Sequence, residues 1–454
     1  MFKMKTITLS LLALLLVMSF ASCASDTTSD LPLPSKDMKA YLQVKVTVEG
    51  SGDTRASRAT TGRPHGGEDG DGREQGINNE NDVNSLTVLL YNSDKDDLSD
   101  DNAIIDYVYT FTGLKSSSST GGVTYTTGPR EIDPVIVGKN YHVLVIANAG
   151  DMTSRCKGKK ISEIRDMQMD KVCTRNDGIA NFTDFVMSSK TDAKIDFSGK
   201  SGSGTGTESD PYMVDVNIER LAARIDIIPN ATYDAASNAY YYDVKDGANV
   251  IGGFKLESVT PSKVLTKGEY LIKRVCPDNS LAPVTYFGRE EMDPTTKAST
   301  NYVVCPWTKN RTGLTLAEAE GPASLYNVKK ATSTSITDPS YILDYVMENT
   351  TTDNDEDYST GLIFKGKYYE ETEWDKATTR PTTGATGTEK TYTYTLRHSD
   401  PSGSGTTADP MHFGVVRNNI YQVKIDGVEG KSKGLKLTIH VRKWATYTHE
   451  ETTM

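Results

Sequence analysis

Little in this sequence is arranged to hold a metal or to catalyse a reaction. Of 454 residues only five are cysteine and six are histidine. No CxxC pair occurs and the histidines (65, 142, 398, 412, 440, 449) are scattered, so a zinc site has no framework and no cofactor is implied. There is no GxSxG elbow, no HExxH, no cysteine beside a histidine and no carboxylate pair in an apolar setting, so an enzyme is not expected. Gly199-Lys200-Ser201 suggests a phosphate loop, but Lys194 stands where that loop needs its earlier glycine. The five aspartates in the stretch from Asn92 to Asp101 lack the glycine and terminal glutamate of a calcium loop and read as a solvated turn. Lys and Arg are nowhere concentrated and the net charge is -11, which excludes nucleic acid as a partner. Helix-forming runs of Ala, Leu, Glu and Lys are few, whereas 37 glycines, 24 tyrosines and many threonines favour strands. The expected class is all-β, with at most short helices. The best helical spacing is in 161–175, on Ile161, Ile164, Met167 and Val172.

What is present begins at the N-terminus. Lys3 and Lys5 precede an apolar run from Leu9 to Phe20, and Phe20-Ala21-Ser22-Cys23 puts small residues directly before a cysteine. This resembles a bacterial lipoprotein signal, which implies that residues 1–22 are removed and that Cys23 is acylated, holding the chain on a membrane. Beyond it no apolar run is long enough to span a bilayer.

The stretch from Lys39 to Thr60 organises the rest. Leu42, Val44, Val46 and Val48 alternate with Tyr41, Gln43, Lys45 and Thr47, the period of a half-buried strand. From Gly50 to Gly76 the chain has almost no apolar content, and this segment reads as an exposed linker. Arg55-Ala56 and Arg58-Ala59 offer two bonds to an Arg-specific protease, although arginines in such a linker also simply keep it soluble. The strand is expected at a sheet edge and is read as removable.

Further strands are expected at Val83–Tyr91, in the most apolar run Tyr141–Gly150, and at 254–259, 301–306 and 392–396. Tyr212–Asn230 reads as one long strand or a bent pair crossing a domain border. Residues 188–211, 309–360 and 371–390 read as polar loops. Ser201-Gly-Ser-Gly-Thr with Asp210-Pro211 is echoed by Ser402-Gly-Ser-Gly-Thr with Asp409-Pro410. The chain closes on Leu435, Leu437, Ile439 and Val441, alternating with Lys436, Thr438, His440 and Arg442, then Trp444. Cys156 and Cys173 are near enough in sequence for a disulfide, and equally suit buried thiols.

Taken together, the lipoprotein start, the Arg-bearing linker, Tyr141-His-Val-Leu-Val-Ile-Ala-Asn148, Ile218-Glu-Arg-Leu-Ala-Ala-Arg-Ile225, Gly414-Val-Val-Arg-Asn-Asn-Ile-Tyr421 and the terminal alternating strand resemble the Bacteroidia fimbrial subunits, the fimbrillins or type V pilins. The resemblance implies two transthyretin-like β-sandwich domains, here 59–215 and 216–454, behind a lipidated propeptide at 23–58. It also implies an outer-membrane precursor, cleavage by an Arg-specific protease, and assembly with copies of itself or related subunits into a surface fimbrium that meets a host-surface ligand. In that scheme a neighbour's C-terminal strand replaces the removed one. The donor is either Leu435–Val441 or the tail after Trp444. Four buried teeth on the removed strand are worth about 6–12 kcal/mol gross, at roughly 1.5–3 each. The rival is a surface lipoprotein that binds glycans on Trp307, Trp374 and Tyr368-Tyr369.

Overall fold

The computed structural model describes residues 39–49, 73–75, 78–92, 102–198 and 204–264 with short interruptions, then 271, 285–286, 289–290, 341–350, 360–398, 414–430 and 434–445. The chain is nearly all β and forms two large sheets in tandem, each wrapped on its own core as a β-sandwich domain.

The first sheet contains β1 (Ala40–Glu49), β2 (Ser85–Tyr91), β3 (Ile105–Thr112), β4 (Lys115–Ser119), β5 (Gly122–Thr126), β6 (Arg130–Ile132), β7 (Asn140–Ala147), β8 (Met187–Ser189), β9 (Ala193–Asp196) and β10 (Tyr212–Arg220). Its path runs β3-β2-β7-β8-β10-β1-β5-β4, with β9 on β7 and β6 on β1. The run from Tyr141 to Ala147 is buried at every position, because β7 lies inside the sheet with both faces covered. Met152, Cys156, Ile161 and Ile164, on and beside two short helices, Thr153–Cys156 and Ile161–Arg165, belong to the same core. The helix expected over 161–175 is thus one short turn and ends at Arg165; Val172 reaches the core from outside it.

The second sheet contains β11 (Ala222–Ile228), β12 (Ala239–Asp246), β13 (Asn249–Ser262), β14 (Tyr341–Met347), β15 (Gly361–Glu370), β16 (Thr388–Thr395), β17 (Asn419–Glu429) and β18 (Gly434–Ala445). Its path runs β18-β17-β12-β13-β15-β16, and β11 pairs with both β14 and β17. The chain passes from one sheet to the other at Leu221, so all of β10 stays in the first domain. β14 and the start of β16 lie within stretches read from sequence as loops. Leu343 and Val346 are buried against β11, and this short apolar run is hidden in sequence by the polar residues around it.

The Cys156–Cys173 disulfide is not formed; both residues are thiols. Cys156 ends a helix that holds it wholly inside the first core, whereas Cys173 is half-buried on the stretch leading to Thr174. Closeness in sequence did not bring the two sulfurs into bonding geometry. Burial pushes the Cys156 thiol up to about 11. In the folded protein at pH 8 Cys156 will therefore resist iodoacetamide for hours and react only on unfolding, as mass mapping of the alkylated peptides will show. Rapid labelling of the native protein at Cys156 would contradict this burial.

Candidate functional site

The site is the place occupied by β1. Leu42, Val44, Val46 and Val48 are each 0% exposed, while Tyr41, Gln43, Lys45 and Thr47 are half-buried, so the period-two pattern is realised in full. The strand is not at an edge. It lies parallel to β10, with Leu42 beside Tyr212, Val44 beside Val214, Val46 beside Val216 and Val48 beside Ile218. On its other side it is antiparallel to β5 and β6. The sequence pattern reports which residues face a core but not how many neighbours the strand has. Taking β1 away would therefore expose two ladders of backbone donors and acceptors with an apolar trough between them.

Several contacts pin the strand. The Val44 amide donates to Thr127 Oγ1 at 2.9 Å, and the Thr127 amide returns a bond to the Val44 carbonyl at 2.9 Å. Gln43 Nε2 donates to the Thr127 carbonyl at 2.7 Å. The Tyr41 amide donates to the Gly206 carbonyl at 2.9 Å. That carbonyl belongs to the turn before β10, where Thr205 and Gly206 both donate to the Asp210 carbonyl. Gly206 has φ +82°, and a Cβ there would meet the Tyr212 ring at 2.4 Å, so only glycine fits. The end of the first Gly-Ser-rich stretch, from Gly204 to Asp210, is thus a tight cap on β1. Its echo at 402–409 lies outside the described residues, as do Cys23, Arg55 and Arg58.

Two exposed ion pairs flank the strand, one toward each wall. Lys39 Nζ is 3.0 Å from Glu131 Oε2 of β6, and Lys45 Nζ is 3.2 Å from Asp215 Oδ2 of β10.

The expected donor strand, Leu435, Leu437, Ile439 and Val441, is β18. It pairs antiparallel with β17 over most of its length, from Gly434 beside Glu429 to Lys443 beside Asn419. Ile439 and Val441 are buried in the second core and Leu435 and Leu437 pack on it half-buried. Among the described residues its other edge is paired only at Lys443, Trp444 and Ala445, in parallel with the short strand Arg73–Gln75.

The motifs Ile218–Ile225 and Gly414–Tyr421, read from sequence only as marks of a resemblance, meet in a buried junction. β10 ends in Arg220 and β11 carries Arg224, both wholly buried. Arg224 donates to both oxygens of Asp226, Nε at 2.9 Å and Nη2 at 2.7 Å. Its Nη1 reaches both oxygens of Glu80 at 3.0 and 3.1 Å. Burial alone would push this guanidinium down; the carboxylates of Asp226 and Glu80 more than reverse that and hold it charged. Tyr345 of β14 donates its hydroxyl to Glu80. Phe182 and Phe185 of the first domain meet that ring edge-on, at centroid distances of 4.5 and 4.8 Å. Arg220 donates to the Glu80 carbonyl at 2.8 Å, to Asn81 Oδ1, and to Asn418 Oδ1 at 3.1 Å. Asn418 sits at φ 57° and its amide donates to the Ala222 carbonyl at 2.8 Å. The two stretches around Arg220 and Arg417 thus meet here and join the domains. The available signal was a pair of arginines, four apart, inside an otherwise buried β run.

Of the aromatic residues expected to offer a sugar platform, Trp374, Tyr368 and Tyr369 are packing residues. Trp374 is 4% exposed, leans on Tyr241 and Tyr369, and donates its indole N–H to Asp243 at 2.8 Å. It lies so flat on Gly253 that a Cβ there would come within 2.0 Å of the ring. Tyr368 and Tyr369 are buried, and the Arg380 guanidinium covers the Tyr241 ring at 4.3 Å. Trp307 lies outside the described residues.

Residues 40–220 match a family model described as the major fimbrial subunit protein (FimA). No curated protein matches the sequence. Among solved structures the chain is similar to the tip fimbrial protein Mfa3 from Porphyromonas gingivalis with C-terminal truncation, at 12% identity and a TM-score of 0.39, covering 90% of this chain and 100% of that one. It is also similar to a fimbrial assembly protein from Parabacteroides distasonis ATCC 8503, at 11% identity and a TM-score of 0.38, covering 88% of this chain and 95% of that one. Its first domain, from β1 through β10, is thus the part of the chain that matches the fimbrial subunit model.

Proposed function

We propose that this protein is a structural subunit of an adhesive cell-surface fimbria, exported as an outer-membrane lipoprotein precursor acylated on Cys23. Cleavage after Arg55 or Arg58 frees β1, and an alternating strand of a neighbouring subunit takes its place. The observation that carries this reading is β1 itself: a first strand buried between two neighbours, joined to the rest of the fold through a polar linker that contains both arginines. Loss of the strand forfeits the burial of its four apolar teeth, about 6–12 kcal/mol gross, so the vacancy is unfavourable until refilled.

The donor is β18, at Leu435–Val441. Apart from its last three residues it has one backbone neighbour among the described residues, so releasing it breaks a single ladder rather than two. Each donor serves the next molecule, a head-to-tail contact that does not close, and the product is a filament. Partners are therefore copies of the chain or related subunits, together with an Arg-specific protease.

Treatment of the purified full chain with an Arg-specific protease tests this. The expected result is a ladder of oligomers resistant to SDS without boiling, whose mature N-terminus begins at Ala56 or Ala59. A protein that only shortens, with no ladder, is not a subunit that assembles in this way.

A further inference from the structure

We propose that the slot left by β1 selects its replacement by charge, admitting a strand with apolar teeth and a basic outward face, and that Gly434–Ala445 of a second copy has this chemistry. The inference rests on the strand-exchange reading above and adds to it what the slot recognises. Glu131 and Asp215 stand on the two walls of the slot, each paired in the intact chain to a lysine carried by the strand segment that is to leave. Their side chains are 54% and 67% exposed, so these pairs contribute little to holding β1 in place. When Lys39 and Lys45 depart, both carboxylates flank an open trough. Fixed charges at the rim of a binding groove act chiefly on encounter, by drawing in the complementary strand and slowing the wrong one.

The end strand fits that rim. Gly434–Ala445 contains Lys436, His440, Arg442 and Lys443 and no aspartate or glutamate, in a chain whose net charge is -11. Laid on β1 tooth for tooth, Leu435, Leu437, Ile439 and Val441 take the places of Leu42, Val44, Val46 and Val48. Lys436 then takes the place of Gln43, diagonal to both Glu131, which faces Tyr41, and Asp215, which faces Lys45. His440 takes the place of Thr47, diagonal to Asp215 from the other side. Diagonal neighbours across a ladder are within reach of long side chains. β1 solved the same problem with a lysine ion-paired to each of the two acids, so a basic outward face is common to both strands.

The test uses the full chain cut with an Arg-specific protease and a fluorescent peptide of residues 434–445, with capture followed by anisotropy in stopped flow. At low salt a peptide carrying Lys436→Gln, His440→Gln and Arg442→Gln is expected to enter about tenfold more slowly than the native one. The difference should vanish at about 1 M salt, where the screening length is about 3 Å. A Glu131→Gln, Asp215→Asn acceptor, with its melting temperature checked against the unaltered chain, should take the native peptide as slowly as the unaltered acceptor takes the neutral one. It should also no longer distinguish the two peptides. Equal rates for both peptides on the native acceptor at low salt overturn charge selection while leaving strand exchange standing. A cut chain that captures neither peptide and forms no oligomers overturns strand exchange itself, and charge selection with it.

Discussion

Replacing Glu80 with alanine will lower the unfolding free energy by about 3–5 kcal/mol, the range for removing one partner of a buried ion pair. The magnitude comes from what is left behind. Arg224 keeps Asp226 but loses both Glu80 oxygens, and the Tyr345 hydroxyl loses the acceptor it now has in a buried position. Water cannot readily replace that acceptor beneath Phe182 and Phe185. Because Glu80 belongs to the segment leading into the first sheet while Arg224 and Tyr345 belong to the second, the damage falls on the joint between domains. Urea unfolding followed by intrinsic fluorescence should show a lower midpoint and a broadened or split transition, as the two sandwiches begin to unfold separately. Combined with Arg224→Ala, the loss should be well below the sum of the two single losses, since both remove the same contact. A midpoint unchanged within error for Glu80→Ala would mean that the network holds nothing together.

Leu42→Ala should act on the precursor and not on the polymer. In the intact chain Leu42 is 0% exposed between β10 and β6, and its truncation is expected to destabilise by about 2–5 kcal/mol. For a domain of this size that lowers the melting temperature on the order of 10 °C. Once the linker is cut and β1 replaced, the altered residue is no longer part of the assembly, so oligomers from native and Leu42→Ala precursors should dissociate at the same temperature in SDS. Leu437→Ala in the proposed donor should weaken those oligomers. Polymers that inherit the Leu42→Ala defect would falsify the idea that β1 is discarded.

How far the fold could be read from sequence depends on where each pattern sits. β1 was legible because its alternation is contained in one strand, and Leu42 to Val48 occupy the faces that alternation assigns them. Its internal position was not, since its neighbours β5, β6 and β10 are joined only by folding, and the half-buried state of Gln43 and Thr47 leaves no mark in the pattern. The junction was illegible for a related reason: Glu80 and Arg224 are 144 residues apart, and an acid in a polar turn looks like any solvated acid. Tyr341–Met347 was lost among polar neighbours. Trp374 resembled a surface platform because the residue it rests on, Gly253, is far away in sequence and contributes by having no side chain. Cys156 and Cys173 are thiols, one of the two alternatives the sequence left open, since proximity along the chain does not fix the direction of two Cβ vectors.

Leu221 alone separates β10 from β11; β10 runs parallel to β1 and β11 parallel to β17, and β17 precedes β18, the strand to be donated. Pulled between the slot and the end strand, a subunit would carry tension along a nearly unbroken cable of backbone, with every hydrogen bond of each ladder sheared at once instead of being unzipped one by one. The one-residue splice at Leu221 is covalent and cannot give way before the ladders do, and the Arg224 clasp is the ferrule fitted around it.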